Sequence, residues 1–266
     1  MPRLTWDQLP TEARAAIEQH TGPIHWTSDA SDGKNSALAT RLGVQSGAVF
    51  VKGIQTDNRQ VTAQDREAAV NPYLPPSCPR LLWRVQTAGW DLLGYELLQD
   101  ARAADYTPGS PDLALVVDAL VELANVRCPE TPGLRRAGQR WAAYSRPELL
   151  PLLDGDQLLH TDLAPDNILI RDGRAHLIDW AWPTLGPSWL DPSVWAIRLM
   201  NAGHDAQSAE TWVARVPGWH DAPAGAREGF ATANASLWAE IQQQTPDDAW
   251  RADMAHCAEH WARHLN

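Results

Sequence analysis

The chain has 266 residues, of which 44% are hydrophobic and 21% charged, and its formal net charge is −11. This acidic balance argues against nucleic acid as a partner, because a phosphate backbone requires a basic surface. No segment approaches the roughly 20 apolar residues that span a bilayer, and the N-terminus lacks the apolar core of a secretory signal, so we expect no membrane association and a cytoplasmic location.

The first third of the sequence predicts a strand-rich lobe that contains an internal helix. Apolar periodicity and terminal signals predict helices over 11–20 and 62–70. Short β-type runs, punctuated by glycines in the earlier part, predict strands in between and after them. These strands are expected over 24–28, 36–42, 48–54, 80–87 and 92–98.

After Gln99 the sequence becomes mostly helical, with a small β element over 157–178. The predicted helices cover 111–125, 134–145, 190–201, 207–215, 224–243 and 247–264. A β-rich segment followed by a helix-rich one indicates an α+β architecture with two lobes. We place these lobes at 1–98 and 99–266.

A lysine inside an apolar strand is the unusual feature of the first lobe. The basic residues are almost all arginine, and the only lysines are Lys34 and Lys52. Lys52 lies within the apolar run at 48–54, where a solvated lysine is not expected. Its position therefore suggests a functional charge.

The segment from His160 to Asp179 contains the polar groups that suggest chemistry. Asp172-Gly173 between apolar runs predicts a two-residue hairpin turn, which pairs 171 with 174 and, further along, 167 with 178. Asn167 and Asp179 then lie together at the open end of the hairpin, and the loop carrying Asp162 leads into that end. Such oxygen ligands suit Mg²⁺. Asp162 remains to orient or deprotonate a hydroxyl group.

Two other interpretations of this segment are open. One is a polar hairpin without activity, although surface chemistry alone would not gather three such groups at one end of an apolar hairpin. The other is a metal hydrolase that uses His160, Asp162, His176 and Asp179. On the predicted strand His176 lies about three residue pairs from the open end, so a packed or solvated side chain is expected there.

The pattern His-x-Asp-x-x-x-x-Asn, with its hairpin and the later Ile-Asp-Trp, resembles the catalytic loop of the aminoglycoside phosphotransferase and choline kinase group. These enzymes are relatives of protein kinases, so the resemblance implies a two-lobed protein-kinase-like fold. It also implies that Asp162 is the catalytic base and that Asn167 and Asp179 hold Mg²⁺ on the phosphates of ATP. His160 would be structural.

The same resemblance implies roles in the first lobe, which would bind the nucleotide. Lys52 would contact the phosphates and Glu67 would orient it. The loop Ser31–Ser36 would cover the phosphates and provide the Ser36 hydroxyl, although it has one glycine where a glycine-rich loop is usual. Backbone groups near Glu96 and Leu98, in the predicted hinge, would bind the adenine.

The segment after Asp179 favours a small-molecule acceptor over a protein acceptor. A helix is expected within a dozen residues of Asp179, which leaves no room for a peptide-docking platform. Residue 161 is Thr, where protein kinases have an Arg that pairs with a phosphate on the activation loop. The resemblance implies that Asp191 braces the catalytic loop, and a helix N-cap is a compatible alternative for this residue.

These features predict an ATP-dependent phosphotransferase that transfers the γ-phosphate to a hydroxyl of a small molecule, either an antibiotic such as an aminoglycoside or a small metabolite. The alternative is a non-catalytic, kinase-like nucleotide-binding protein, which the glycine-poor loop favours. Most of the 14 tryptophans are expected in the core, and some of them in the acceptor pocket.

Overall fold

A computed structural model describes residues 4–30, 36–128, 131 and 133–266. In its N-terminal part, five described strands form an antiparallel sheet in the order β1-β2-β3-β5-β4. The elements are α1 (Thr11–Thr21), β1 (Trp26–Asp29), β2 (Leu38–Val44), β3 (Gly47–Gln55), α2 (Val61–Val70), β4 (Leu81–Thr87) and β5 (Trp90–Glu96). The predicted strands and helices are thus present, with ends shifted by up to two residues.

The two faces of β3 have different surroundings. Val49 and Val51 are buried in an apolar cluster that also contains Ile17 of α1. Because neighbouring residues of a strand point to opposite faces, Lys52 lies on the other face, and there it contacts Glu67 of α2. An apolar strand therefore carries a buried lysine on its face towards α2.

A buried network attaches α2 to the sheet. Asp91 of β5 is fully buried. It accepts hydrogen bonds from Gln64 Nε2 at 3.0 Å and from Arg84 Nε and Nη2 at 2.8 Å. Arg84 also pairs with Asp65, which is on α2. This network fixes the helix that carries Glu67, because an unpaired buried carboxylate would be very costly.

The C-terminal part is mainly helical. Its helices are α3 (Asp112–Ala124), α4 (Ala137–Arg140), α5 (Leu190–Asn201), α6 (Ala206–Val213), α7 (Ala226–Gln244) and α8 (Ala249–Leu265). Its strands form small sheets in the orders β10-β9-β6 and β7-β11-β8. They are β6 (Arg102–Ala103), β7 (Arg135–Arg136), β8 (Gln157–Leu159), β9 (Ile168–Arg171), β10 (Arg174–Leu177) and β11 (Thr184–Gly186).

Helix α5 is the buried centre of this part. Residues 190–200 are all buried, and they pack in clusters with the segment around Leu159 and Leu163 and with the other helices. An arginine in such a helix, Arg198, is 7% exposed and therefore requires partners inside the protein. In the part of the chain that the structure describes, no helix has the length and apolar character needed to span a membrane.

The predicted helix over 134–145 is mostly wrong. Arg135 and Arg136 instead form β7, which pairs in parallel with β11, and only Ala137–Arg140 is helical. Beyond it, Trp141 is 1% exposed and packs edge-to-face against Phe230 of α7. Here strand pairing and the burial of an aromatic ring override local helix propensity.

Candidate active site

The hairpin of β9 and β10 has the predicted register. Asp172 and Gly173 have φ angles of 50° and 71°, as a type I′ turn requires. Arg171 pairs with Arg174, and the Ile178 N–H donates to the carbonyl of Asn167 at 2.9 Å. Asn167 and Asp179 therefore lie at the same open end of the hairpin.

His160 connects the loop to the hairpin. It is fully buried, and its Nε2 donates to the carbonyl of Ile178 at 2.8 Å. Its Nδ1 accepts the backbone N–H of Asp162 at 3.3 Å. Because both ring nitrogens have protein partners, neither is available as a metal ligand, and the side chain acts as a brace.

These contacts disfavour the metal hydrolase interpretation. His176 also has a backbone partner, since its Nδ1 is hydrogen-bonded to the carbonyl of Ser77. Throughout the described ranges, there is no group of three or more His, Cys, Asp or Glu residues that could hold a metal ion. His176 therefore belongs to packing between segments, as the sequence suggested.

Asp191 holds the backbone at the start of the loop that carries Asp162. Its two carboxylate oxygens accept the backbone N–H groups of His160 at 2.8 Å and Thr161 at 2.9 Å. Thr161 has a φ of 63°, so the carboxylate fixes a backbone conformation that non-glycine residues rarely adopt. Burial raises the pKa of Asp191, and these hydrogen bonds act against that shift. The N-cap of α5 is Trp189, so the N-cap alternative for Asp191 is wrong.

Asp162 has one occupied and one open carboxylate oxygen. Its Oδ1 accepts Arg198 Nη2 at 2.8 Å, while no described residue donates to Oδ2. Its backbone carbonyl accepts Asn167 Nδ2 at 2.9 Å. This bond leaves the Asn167 amide oxygen free to act as a ligand.

Lys52 joins the two parts of the protein. Its Nζ contacts the carboxylate of Glu67 and lies 3.2 Å from Asp179 Oδ1. Lys52 and Glu67 are 7% and 4% exposed, whereas a third of the Asp179 side chain is accessible. The expected Lys52–Glu67 pair is thus present, and Asp179 is brought to it from 127 positions later in the chain.

The pKa values of this cluster follow from burial and from the opposed charges. Burial lowers the pKa of Lys52, but Glu67 and Asp179 outweigh it and the net shift is upward. Lys52 in turn lowers the pKa of Asp179. Burial raises the pKa of Glu67 against the effect of Lys52. Asp179 therefore keeps its negative charge near neutral pH and suits a divalent cation.

The donor set at the hairpin end fits the implied Mg²⁺. Asp179 offers an ionised and partly accessible carboxylate, and Asn167 offers a neutral amide oxygen. Magnesium prefers such hard oxygen donors and completes its octahedral shell with phosphate oxygens and water. The two residues named from the sequence are therefore chemically suitable ligands.

The structure describes some of the residues expected to contact the nucleotide and not others. The loop residues Ser31–Asn35 lie outside the described residues, and Ser36 is half-buried just before β2. Glu96 ends β5, where its carboxylate accepts the Arg80 N–H at 3.0 Å. The N–H of Leu98 has no acceptor among the described residues, so it can bond to a ring nitrogen of a base.

Two arginines missed by the sequence analysis hold the segment after Asp179. Arg66 of α2 donates to the carbonyl of Ala181 at 3.1 and 3.2 Å. Arg140 donates to the carbonyl of Trp182 and to Thr184 Oγ1, both at 3.0 Å. Both guanidinium groups also lie over the Trp182 ring, at 5.5 and 5.4 Å from its centroid. No periodicity or motif marks these arginines in the sequence.

Arg198 was also missed, although a signal for it exists. It stands in the apolar run 194–200, just as Lys52 stands in the apolar run 48–54. A charge surrounded by apolar neighbours in sequence requires a buried partner. The criterion that identified Lys52 would have identified Arg198 as well.

No family model matches the sequence, and no curated protein matches it either. Solved structures match across almost the whole chain. Choline kinase LicA from Streptococcus pneumoniae has a TM-score of 0.61 and 12% identity, covering 96% of this chain and 100% of that one.

Two further solved structures are similar. A thermostable mutant of aminoglycoside phosphotransferase APH(4)-Ia, in a ternary complex with ADP and hygromycin B, has a TM-score of 0.63 and 13% identity over 95% of this chain and 98% of that one. A choline/ethanolamine kinase family protein from Mesorhizobium loti has a TM-score of 0.59 and 18% identity over 96% and 97%. At such identities the likeness concerns the fold, and it confirms the predicted two-lobed, protein-kinase-like fold.

Proposed function

We propose that the protein is an ATP-dependent phosphotransferase that transfers the γ-phosphate to a hydroxyl of a small molecule. The observation that carries this proposal is the cluster between the two parts of the chain. In it, Lys52 contacts Glu67 and Asp179, and Asp179 shares the end of the hairpin with Asn167. Nucleotides bound to the structural neighbours are consistent with it.

Asp162 would act on the acceptor. Its open Oδ2 accepts the hydrogen of the incoming hydroxyl and orients the oxygen towards the γ-phosphorus. The new P–O bond forms as the bond to the β-phosphate oxygen breaks, the hydroxyl proton passes to Asp162, and ADP leaves. Asn167 and Asp191 keep this loop in place through their bonds to its backbone.

Lys52 would hold the phosphates, and Glu67 would keep the lysine side chain directed towards them. Asn167 and Asp179 would hold Mg²⁺, which neutralises charge on the β- and γ-phosphate oxygens when it is bound. The unpaired Leu98 N–H, the backbone near Glu96 and the Ser36 hydroxyl would bind the remaining parts of the nucleotide. Residues 1–98 would therefore serve as the nucleotide-binding lobe and 99–266 as the catalytic and acceptor-binding lobe.

The acceptor would be a small molecule, either an antibiotic such as an aminoglycoside or a small metabolite. Helix α5 begins at Leu190, eleven positions after Asp179, and β11 occupies part of the intervening segment. That spacing leaves no platform for a peptide. The structural neighbours include choline kinases and a phosphotransferase crystallised with hygromycin B.

The test compares Asp162→Asn with Asp166→Asn. Asp166 is an exposed carboxylate in the same loop, so its variant controls for the loss of a charge. Transfer from ATP to a panel of aminoglycosides, amino alcohols and sugars is followed by mass spectrometry, and binding of Mg-ATP by thermal shift. We expect Asp162→Asn to lose transfer by at least about 10²-fold while Mg-ATP binding persists.

A fully active Asp162→Asn protein would refute the role of Asp162. If the wild type binds Mg-ATP and transfers phosphate to no acceptor, the non-catalytic nucleotide-binding alternative is favoured. A protein that gives no thermal shift with Mg-ATP contradicts both functions.

A further inference from the structure

Arg198 is a buried cation beside Asp162, the residue proposed to act on the acceptor. Its Nη2 donates to Asp162 Oδ1 at 2.8 Å, and its side chain is 8% exposed. Its Nη1 faces Met254 Sδ at 3.7 Å, which is a weak acceptor. Its Nε is buried without a partner among the described residues. The carboxylate of Asp162 is therefore the main polar partner of this guanidinium.

Two tryptophans provide the other surroundings of Arg198. Its guanidinium carbon lies 5.5 Å from the ring centroid of Trp238 on α7 and 5.3 Å from that of Trp250 on α8. The two rings are 5.8 Å apart and nearly perpendicular, with an interplanar angle of 83°. Perpendicular indole rings beside a carboxylate are the surroundings that proteins use to bind ammonium cations. Here an arginine of the chain itself occupies that place.

We infer that Arg198 sets the acceptor specificity of this site and positions Asp162: by taking the cation position beside Trp238 and Trp250, it restricts the acceptors to compounds without a positive charge next to the reacting hydroxyl. This inference rests on the proposed function.

Distance and charge together disfavour a cationic acceptor at this site. The reacting hydroxyl must come within hydrogen-bonding distance of Asp162, and Oδ1 already faces Arg198. A lone carboxylate would attract a cationic acceptor, but the Arg198–Asp162 pair has no net charge. The indole rings of Trp238 and Trp250 likewise already have a cation beside them, which is the Arg198 guanidinium. An acceptor such as choline thus gains nothing here from its charge and meets a guanidinium within a few ångströms.

The pair also explains how Asp162 is oriented. Arg198 holds Oδ1, so Oδ2 is the oxygen that remains for the hydroxyl. Arg198 is in turn held by the two rings and by the rigid, buried α5. A planar guanidinium suits this role, because it stacks on rings and donates in a fixed direction.

A pair of probes of the same shape isolates the effect of charge. Choline and 3,3-dimethylbutan-1-ol differ only in the quaternary centre, which is nitrogen in one and carbon in the other. Binding of each is followed by tryptophan fluorescence without nucleotide, in the wild type and in Arg198→Ala. Trp250 is 42% exposed and serves as the reporter. We expect no preference for choline in the wild type and at least about a tenfold preference in Arg198→Ala, where the ring pair is vacated.

The controls assign the signal to the ring pair. Trp238→Leu in the Arg198→Ala background, which keeps the Trp250 reporter, should abolish the choline response, and Arg198→Met, which refills the space without charge, should also show none. Saturable choline binding by the wild type that disappears in Trp238→Leu would overturn the inference. A folded Arg198→Ala protein without a choline preference would do the same.

A kinetic measurement tests the positioning role and does not depend on the folding of Arg198→Ala. Mg-ATP is supplied with water as the acceptor, and phosphate release is measured for the wild type, Arg198→Met and Arg198→Lys. We expect kcat to fall at least about tenfold in Arg198→Met, with KM for Mg-ATP unchanged and part of the rate regained in Arg198→Lys. An unchanged kcat in Arg198→Met would contradict the positioning role.

Since the fluorescence experiment uses no nucleotide, it can fail or succeed independently of the phosphotransferase proposal.

Discussion

The proposed phosphate side of the site, around Lys52, and the proposed acceptor side, around Asp162, both contain a buried cation, but they hold it differently. Lys52 contacts two carboxylates, Glu67 and Asp179, which come from different parts of the chain. Arg198 has one carboxylate and two indole rings, all within the C-terminal part. In the proposed function the lysine would exchange a carboxylate for phosphate oxygens, whereas the arginine is held beside two indole rings.

This difference indicates which of the two cations can change its partners when a ligand binds. An ammonium on a flexible stem suits a ligand that arrives with its own charges, and a guanidinium held beside two rings suits a fixed part of the site. The first side has the residue types that the proposed binding of Mg-ATP needs. The second side lies beside Asp162, the residue proposed to act on the acceptor, so it is where substrate preference should be sought.

The largest expected effect is on the phosphate side. Lys52→Met removes the cation while keeping the length of the side chain, and we expect kcat/KM for Mg-ATP to fall by about 10²–10³-fold. Arg41→Met, which changes an exposed basic residue on the neighbouring β2, serves as the control. A fall of less than about threefold in Lys52→Met would show that the cluster is structural only.

An intermediate effect is expected from Asp191→Asn, which tests the support of the acceptor side. An amide oxygen can accept one of the two backbone N–H groups, so the N–H of His160 or Thr161 loses its partner inside the protein. We expect a loss of about 1–3 kcal/mol in the free energy of unfolding, measured with urea. The affinity for Mg-ATP should stay near that of the wild type, which distinguishes this variant from Lys52→Met.

A smaller effect is expected on the stability of the protein as a function of pH, through Asp179 on the phosphate side. Lys52 lowers the pKa of Asp179 in the folded protein, so the ionised carboxylate stabilises the fold above the ordinary pKa of an aspartate. That contribution is lost as the pH falls through the lowered pKa. The stability advantage of wild type over Asp179→Asn should therefore shrink below about pH 4. Urea unfolding of the two proteins from pH 7 downwards measures it, and a difference that grows on acidification would contradict the ion pair.

The smallest effect is expected from Arg66→Met, since the hydrogen bonds of Arg66 among the described residues go to a backbone carbonyl. Its two hydrogen bonds to Ala181 join α2 to the segment after Asp179. We expect a loss of about 1 kcal/mol in the free energy of unfolding and at most a few-fold change in kcat. An effect as large as that of Lys52→Met would show that α2 and this segment control the site together.

The hairpin at 168–177 shows how local chemistry can specify structure completely. Asp172-Gly173 selects a turn type, the turn fixes the register, and the register places Asn167 and Asp179 at one end. None of these steps needs information from distant residues. The short segment before α5 was likewise readable, because a helix start has local signals.

The helix expected at 134–145 shows the opposite case. Its residues have adequate helix propensity, yet β7 pairs with β11, about fifty residues later in the chain. Arg66 and Arg140 were missed for the same reason, because each donates to a backbone carbonyl of a distant segment. Backbone carbonyls have no signature in a sequence, so such bonds are invisible before the chain is folded.

The sequence by itself determined the α+β character, the hairpin register and a short set of polar residues with a common chemistry. It did so because turn residues, apolar alternation and a lysine among apolar residues act within a few positions of the chain. Only the tertiary structure decided that Lys52 meets Asp179, that Arg198 lies beside Trp238 and Trp250, and that one oxygen of Asp162 has no donor among the described residues. Those outcomes depend on which buried charges find partners across the fold, and burial is a property of the whole packed chain.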